Sequence, residues 1–294
     1  MLALAVMPAQ SQTPSTPKPS FDVASIKGNT SRSVVWSFGP RGNRFVAKNM
    51  TLQMLLLSAY RETDDRQMVA NQIDGGPNWV VTDHFDIEAK LEGDGQGVPL
   101  AQMRLMVQSL LEDRFRLKAH RETRERRVYE LVVAKGGPRL RLSKDQTPPA
   151  AGAQLVQLRR GAGTGSGDEL ESMPRGTTKG SGGASGFTLL GNAVPISAFI
   201  NLLQPIAGRV LIDKTGLKGF FDFRVTVKLE ADPAPPGQSA ASPTGSPISA
   251  EEQAGTPPAS FFAAFEDQLG LKLESTRAPV EVFVIDSVQK PEKN

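Results

Sequence analysis

The sequence predicts an α+β fold made of an internally duplicated β-α-β-β-α-β-β unit, with helices packed on a largely antiparallel sheet. One observation is a set of landmarks that recurs in the same order in both halves of the chain. The other is hydrophobic patterning, which alternates in some segments as in strands and follows the helical period in others. A repeat as long as half the chain indicates a duplicated domain, because solenoid repeats are much shorter.

The first half predicts two helices and several strands. Thr51 is a candidate N-cap for the first helix, whose apolar side chains follow the helical period. Between the last two strands lies a charged stretch, residues 121–127, which predicts a solvated hairpin connection. The predicted strands are residues 21–27, 33–38, 44–48, 84–91, 115–120 and 128–134, with a short strand ending at Ile73. The predicted helix faces are Leu52, Leu55, Leu56 and Ala59, then Met103, Met106, Val107, Leu110 and Leu111.

The second half repeats these landmarks. Ile212-Asp213 corresponds to Ile73-Asp74, and Phe221-Asp222 corresponds to Phe85-Asp86. Two further helix faces and two final strand segments follow in the same order. They are Ile196, Phe199, Ile200 and Leu203, then Phe261, Phe262, Phe265 and Leu269, then residues 271–272 and 280–285.

Composition divides the chain into four predicted parts. Residues 1–20 are a signal-peptide remnant and linker, because Met1 to Ala9 is apolar and ends in small residues. Residues 21–145 form the first repeat, and residues 146–185 form a flexible Gly/Ser/Pro linker. Residues 186–290 form the second repeat, with a disordered insert at 231–258. We therefore expect a periplasmic or secreted protein.

Charge and composition exclude several classes of function. The net charge of +3 is small for 294 residues, so we expect no nucleic-acid partner. The chain has no cysteine, which rules out disulfides, thiol catalysis and cysteine-ligated metals. No apolar run reaches the length of about 18 residues that a transmembrane helix needs, and we expect no such helix. The sequence also suggests no cofactor.

Residues 208–215 resemble a phosphate-binding loop in spacing but not in chemistry. Asp213 stands where such a loop has its second glycine, and its carboxylate would repel phosphate. We therefore predict that Asp213 to Gly216 is a turn between two strands. The acidic pairs Asp74 with Asp213 and Asp86 with Asp222 suggest turn and backbone contacts more strongly than acid–base catalysis.

Four residues are candidates for a binding site: Trp36, Trp79, His84 and His120. The two tryptophans lie beside turns and could form an aromatic contact surface or fill sheet edges. The two histidines are the only ones in the chain; His84 shares a strand face with Asp86 and Glu88, but a metal site needs more ligands. The sequence therefore assigns no catalytic residue and no metal site.

Several segments together resemble a family of uncharacterised, secreted, soil-associated proteins that is expanded in Acidobacteria. They are Phe21-Asp-Val-Ala-Ser-Ile-Lys27, Gly75-Gly-Pro-Asn-Trp79, Leu111-Glu-Asp-Arg-Phe-Arg-Leu117, Asp213-Lys-Thr-Gly-Leu217 and Gln268-Leu-Gly-Leu-Lys-Leu273. The resemblance implies export. Some relatives carry this domain behind a membrane metallopeptidase of the β-lactam-sensor type. The family has no established activity, so it supplies no catalytic residues.

The favoured function is an exported, non-catalytic module that binds a protein, a peptide or an envelope glycan. Exposed strand edges would suit such a module, because an extended peptide can add a strand to them. One alternative is a hydrolase-type enzyme with a site between the two repeats that uses Asp and His residues. Another is an extracellular sensor domain that works with a membrane metallopeptidase.

Overall fold

The computed structural model describes residues 18–31, 33, 35–61, 68–91, 98–149, 159–160, 169–183, 186–228 and 259–292. The first-half elements are β1 (Ala24–Asn29), β2 (Ser37–Arg41), β3 (Arg44–Thr51), α1 (Leu52–Ala59), a 3₁₀ turn (Ala70–Gln72), β4 (Ile73–Gly75), α2 (Trp79–Thr82), β5 (His84–Lys90), α3 (Leu100–Arg114) and β6 (Lys118–Val133). The second-half elements are β7 (Arg141–Leu142), β8 (Arg159–Arg160), α4 (Glu169–Ser172), β9 (Thr177–Gly183), β10 (Gly186–Val194), α5 (Ile196–Ala207), β11 (Leu211–Asp213), β12 (Phe221–Lys228), α6 (Ala259–Leu269) and β13 (Leu271–Ser287).

The first compact unit, unit 1, contains the described residues of Met1–Ala59, Val81–Leu117 and Val288–Asn294. Its sheet has the order β1-β5-β3-β2, and every neighbouring pair is antiparallel. Helix α1 contacts β3 and α3, and α3 buries the apolar face that its sequence predicted. The unit is therefore a small antiparallel sheet with two helices.

Helix α1 begins where the sequence predicted. The hydroxyl of Thr51 accepts a 3.2 Å hydrogen bond from the backbone N–H of Met54, which is the contact of an N-cap. The predicted apolar face is buried, and each leucine side chain so placed stabilises the fold by about 1.5–3 kcal/mol. Its members are Leu52, Leu55, Leu56 and Ala59.

Unit 2 contains the described residues of Tyr60–Val80 and Lys118–Ser287. It has a five-stranded sheet of order β7-β12-β10-β9-β8 and a four-stranded sheet of order β11-β6-β13-β4. Helices α5 and α6 share one apolar cluster with strands of both sheets, and several aromatic side chains belong to it. Phe199, for example, packs edge-on against Phe223 with ring centroids 4.9 Å apart.

The charged stretch at residues 121–127 is not a hairpin connection, and that prediction was wrong. It is the middle of β6, which pairs antiparallel with β13 from Lys118 opposite Ser287 to Val133 opposite Leu271. The ladder with β13 extends through this whole stretch, so backbone pairing holds it as a strand without apolar alternation. Two long strands replace the four short ones that the sequence predicted.

The predicted linker at residues 146–185 also needs correction. Its last part, Thr177–Gly183, is strand β9, which pairs antiparallel with Gly186–Asn192 in β10. Glycine and serine weaken the intrinsic strand preference of this segment, but the ladder with β10 holds it. The predicted signal-peptide remnant before residue 18 and the insert at 231–258 lie outside the described residues.

The fold class is confirmed as a mixture of helices with mainly antiparallel sheets. Three short ladders are parallel: β4 with β13, β11 with β6, and β8 with β9. Because β4 pairs with β13, residues 73–75 belong to unit 2, whereas the sequence placed them in the first repeat. In the described segments no helix is long and apolar enough to cross a membrane.

Candidate functional site

A β-bulge in β3 lies at the base of the candidate site. The register between β3 and β5 shifts between Ala47 and Met50, and Asn49 within the shift has a φ of 53°. Asparagine tolerates this left-handed conformation better than most residues. Its N–H donates a 2.8 Å hydrogen bond to the carboxylate of Asp86 in β5. The carboxylate thus satisfies a backbone donor that the bulge removes from the ladder.

The side chain of Asn49 holds the segment before β2. It is 6% exposed, and its amide donates to the carbonyls of Ser33 at 2.7 Å and Val35 at 3.1 Å. The Asp86 carboxylate also accepts a 2.7 Å hydrogen bond from the amide of Asn29. These contacts fix the backbone immediately before Trp36.

Two apolar side chains remain in solvent at the end of this fixed segment. Val35 is 73% exposed and Trp36 is 49% exposed, and together they form the Trp36 patch. Tryptophan is among the residues that dominate binding energy at protein interfaces. A fixed backbone beneath it lowers the entropy that binding would cost. The prediction of Trp36 as a contact residue is therefore consistent with its exposure.

The Trp36 patch adjoins an open strand edge. Strand β2 pairs with β3 on one side, and within the described part of the chain no strand pairs with its other side. The two strands meet at the Gly42-Asn43 turn, where Gly42 has a φ of 59° and Arg41 lies opposite Arg44. In a hairpin with a two-residue turn, the two residues that flank the turn form a hydrogen-bonded pair. Farther along the strands, non-hydrogen-bonded and hydrogen-bonded pairs alternate.

This alternation decides which groups of β2 face outward. The backbones of Phe38 and Pro40 face the open edge, so proline's missing N–H removes no bond to β3. The outward groups are the N–H of Phe38 and the carbonyls of Phe38 and Pro40. The ring of Phe38 packs edge-on against Phe45 with centroids 5.0 Å apart, which anchors the strand.

Unit 2 contains a second bulge of the same geometry. The register of β10 against β12 shifts between Gly191 and Val194, and Ala193 has a φ of 50°. Its N–H donates a 2.9 Å hydrogen bond to the carboxylate of Asp222. Here the strand next to β10 is β9, and β8 pairs parallel with β9, with Arg159 opposite Ser181. An added short strand thus covers this edge.

His120 lies on β6 between two carboxylates. Its Nδ1 is 2.9 Å from Asp286, and its Nε2 is 3.7 Å from Glu122. The hydrogen bond with Asp286 is the main cause that raises the pKa of His120 above its ordinary value of 6.5. A catalytic histidine would turn its second nitrogen toward a nucleophile. A carboxylate occupies that position here, and half of the histidine side chain is exposed, which favours an ion pair at the surface.

The other two candidates lie on separate elements. Trp79 begins α2 and is half-buried. His84 begins β5, and its Nδ1 is 3.2 Å from the backbone carbonyl of Thr82. Among the described residues, no three or more acidic or histidine side chains are grouped as a metal site would require.

The turn that follows β11 has the predicted form. The carboxylate of Asp213 accepts hydrogen bonds from the N–H of Thr215 at 2.9 Å and from its hydroxyl at 2.8 Å. Gly216 follows with a φ of 67°. Asp74, which the sequence matched with Asp213, instead forms ion pairs with Arg124 and Arg126. Both carboxylates have structural contacts.

Most arginines of β6 form ion pairs. Arg121 pairs with Glu281 on β13, and Arg124 pairs with Glu122 as well as Asp74. The pairing neutralises much of the charge that a polyanion would need.

The fold and site together define a class: a mixed α+β protein in which an aspartate binds the backbone of a β-bulge in each unit. A family model described as a protein of unknown function (DUF3738) matches residues 15–288, and the chain belongs to this family. No curated protein and no solved structure matches the chain.

Sequence reasoning did not identify Asn49 as part of the site. Asp86 lies far from it in sequence, and a left-handed backbone conformation leaves only a faint signal. An asparagine at the end of a predicted strand is that signal, since asparagine is enriched in this conformation.

Proposed function

We propose that this chain is an exported, non-catalytic binding module that takes an extended polypeptide segment of a partner protein at the open edge of β2. The observation that carries the proposal is the exposed Trp36 on a fixed backbone beside that edge. The partner's backbone pairs with the outward groups of β2, and one of its side chains packs on the Trp36 patch. This is recognition by strand addition.

The chemistry of the edge favours a polypeptide over a glycan. Alternating N–H and carbonyl groups are spaced for another backbone, and glycans lack that regular alternation. Pro40 limits the number of donors, which restricts the edge to a short segment and disfavours sheet-to-sheet aggregation. In unit 2, β8 adds to β9 in this manner within the chain itself.

The contacts of His120 support the non-catalytic part of the proposal. A hydrolase would need a hydroxyl or water positioned at Nε2, and Glu122 lies on that side. The sensor alternative remains a prediction. Gene neighbourhoods that regularly contain a membrane metallopeptidase would support it, and their consistent absence would count against it.

Export rests on the apolar, small-residue pattern of Met1 to Ala9. Fractionation of cells that express the chain, followed by N-terminal sequencing, tests it. A processed chain outside the cytoplasm is expected, and an unprocessed cytoplasmic chain would contradict export.

We also propose that the two halves are copies of one unit. Support comes from the order of elements: β1, β2, β3, α1, β4, β5, α3 and β6 have counterparts in β7, β9, β10, α5, β11, β12, α6 and β13. The two sheet orders β1-β5-β3-β2 and β7-β12-β10-β9 correspond, as do the bulges at Asn49 and Ala193. On this proposal the second copy begins at Arg141, before the boundary at residue 186 that the sequence suggested.

A display selection tests the binding proposal. Random peptides are selected on the immobilised full chain, and the affinity of the enriched peptides is measured for the wild type, Trp36→Ala and the control Val81→Ala. Val81 is also exposed and lies in unit 1. We expect Trp36→Ala to weaken binding by about tenfold or more, as is usual for a buried interface tryptophan, and Val81→Ala to leave it unchanged. The proposal fails if no peptide is enriched or if both variants bind like the wild type.

A further inference from the structure

Two arginines lie directly opposite each other in the long ladder of unit 2. Arg127 of β6 is the register partner of Arg277 of β13. Side chains in such positions have Cβ atoms about 4.5–5.5 Å apart, and like charges there destabilise a sheet. Both side chains are exposed.

Among the described residues, Arg127 and Arg277 differ from the other arginines of β6 and β13 in their lack of a salt bridge. Arg121, Arg124 and Arg126 each form an ion pair with a carboxylate. Within the described segments, neither Arg127 nor Arg277 forms one. The fold therefore leaves two neighbouring positive charges uncompensated at one place.

The nearest acidic residue on the same strand face does not neutralise the pair. Alternate residues share a face, so Glu125 is the neighbour of Arg127 on one side, and it lies opposite Pro279. Glu125 is exposed and forms no salt bridge with either arginine among the described residues.

A third arginine packs on the tyrosine that follows Arg127 along this face. The next pair along this face is Tyr129 opposite Ser275. Tyr129 is 3% exposed, and the guanidinium carbon of Arg209 lies 5.1 Å from the centre of its ring. The ring orients Arg209 by a cation–π interaction, which adds a third positive group at the edge of this face.

We propose that Arg127 and Arg277 bind a tetrahedral oxyanion, a phosphate or sulfate group, between their guanidinium groups, with Arg209 adding positive potential. Arginine presents paired N–H donors in a fixed fork that matches such oxygens. A doubly charged anion offers oxygens to two forks at once and removes the repulsion between them. A single carboxylate can contact two arginines, as Asp74 does, but it carries only one negative charge and leaves the pair partly uncompensated.

The test measures inorganic phosphate binding by the full chain. Equilibrium dialysis with labelled phosphate, at constant ionic strength set with sodium chloride, compares the wild type with Arg127→Gln/Arg277→Gln and with the control Lys90→Gln. Lys90 is exposed and lies in unit 1. Sulfate and acetate are then tested as competitors. Urea unfolding in phosphate-free chloride buffer checks that each variant folds.

We expect saturable binding to the wild type and to Lys90→Gln, and binding weaker by about tenfold or more in the double variant, which loses charge-assisted hydrogen bonds. Sulfate should compete more effectively than acetate, because acetate carries a single charge. In phosphate-free buffer the double variant should be at least as stable as the wild type, because a like-charge pair is gone. Unsaturable binding, equal binding by the double variant or competition by acetate as effective as that by sulfate would overturn the proposal.

Discussion

The backbone N–H of Asn49 donates a 2.8 Å hydrogen bond to the carboxylate of Asp86, at the bulge where β3 loses its register with β5. Asn49 in turn holds the carbonyls of Ser33 and Val35. A single carboxylate therefore stabilises both a bulge and the segment that presents Trp36. Replacement of Asp86 should therefore affect both the stability of the bulge and binding at the Trp36 patch.

Replacement of Asp86 tests that link. Asp86→Ala leaves the N–H of Asn49 and the amide of Asn29 without their acceptor, so the free energy of unfolding should fall by about 1–3 kcal/mol. Urea denaturation measures the change. Asp22 is exposed, and its side chain forms no hydrogen bond among the described residues. Asp22→Ala is therefore the control. Equal stability of the two variants would contradict the role of Asp86.

Substitutions at two nearby positions in the bulge of β10 should have opposite effects on stability. Ala193 has a φ of 50°, which strains an alanine, so Ala193→Gly should be neutral or stabilise by up to about 1 kcal/mol. A Cβ atom at Gly191 would overlap the ring of Phe223, so Gly191→Ala should destabilise by about 1–3 kcal/mol. Thermal unfolding ranks the variants, and a destabilised Ala193→Gly would mean that the left-handed conformation is not formed.

His120 should make stability depend on pH. Because its pKa is raised in the folded state, chiefly by the hydrogen bond with Asp286, its contribution is fully present below 6.5 and is lost as pH rises through the folded pKa. The difference in stability between the wild type and His120→Gln should therefore be larger at acidic pH than at alkaline pH. In an Asp286→Asn background this pH dependence should shrink. A difference that grows with rising pH would refute the pairing.

Asp74 should contribute more to stability than the exposed acidic residues of β6 and β13. The Asp74 side chain is 21% exposed and that of its partner Arg126 is 16% exposed, so Asp74→Asn removes a partly buried ion pair. We expect a loss of about 1–3 kcal/mol, against about 0–1 kcal/mol for Glu281→Gln. Guanidinium denaturation is less suitable than urea here, because its salt screens both pairs.

The sequence identified the helices and most strands because their apolar periods are local. It missed the continuity of β6 because charges from Arg121 to Arg127 resemble a solvated turn, and their strand state depends on pairing with distant β13. It missed β9 for a similar reason: glycines and a serine disfavour a strand until β10 supplies the ladder.

Part of the candidate site was accessible from sequence and part was not. Trp36 was found because a large aromatic beside a turn is conspicuous. The support beneath it depends on the φ of Asn49 and on Asp86 in another strand. The opposition of Arg127 and Arg277 depends on strand register, which a single sequence does not reveal.

Amide hydrogen exchange at Phe38 tests the central claim most directly. Its N–H faces the open edge of β2, whereas that of Gly39 faces Val46 of β3. In the free chain, Phe38 should exchange quickly and Gly39 slowly. With a saturating selected peptide, strand addition should slow exchange at Phe38 by about tenfold or more, since it gains a hydrogen bond that must open first. A bound peptide that leaves exchange at Phe38 unchanged would contradict binding at this edge.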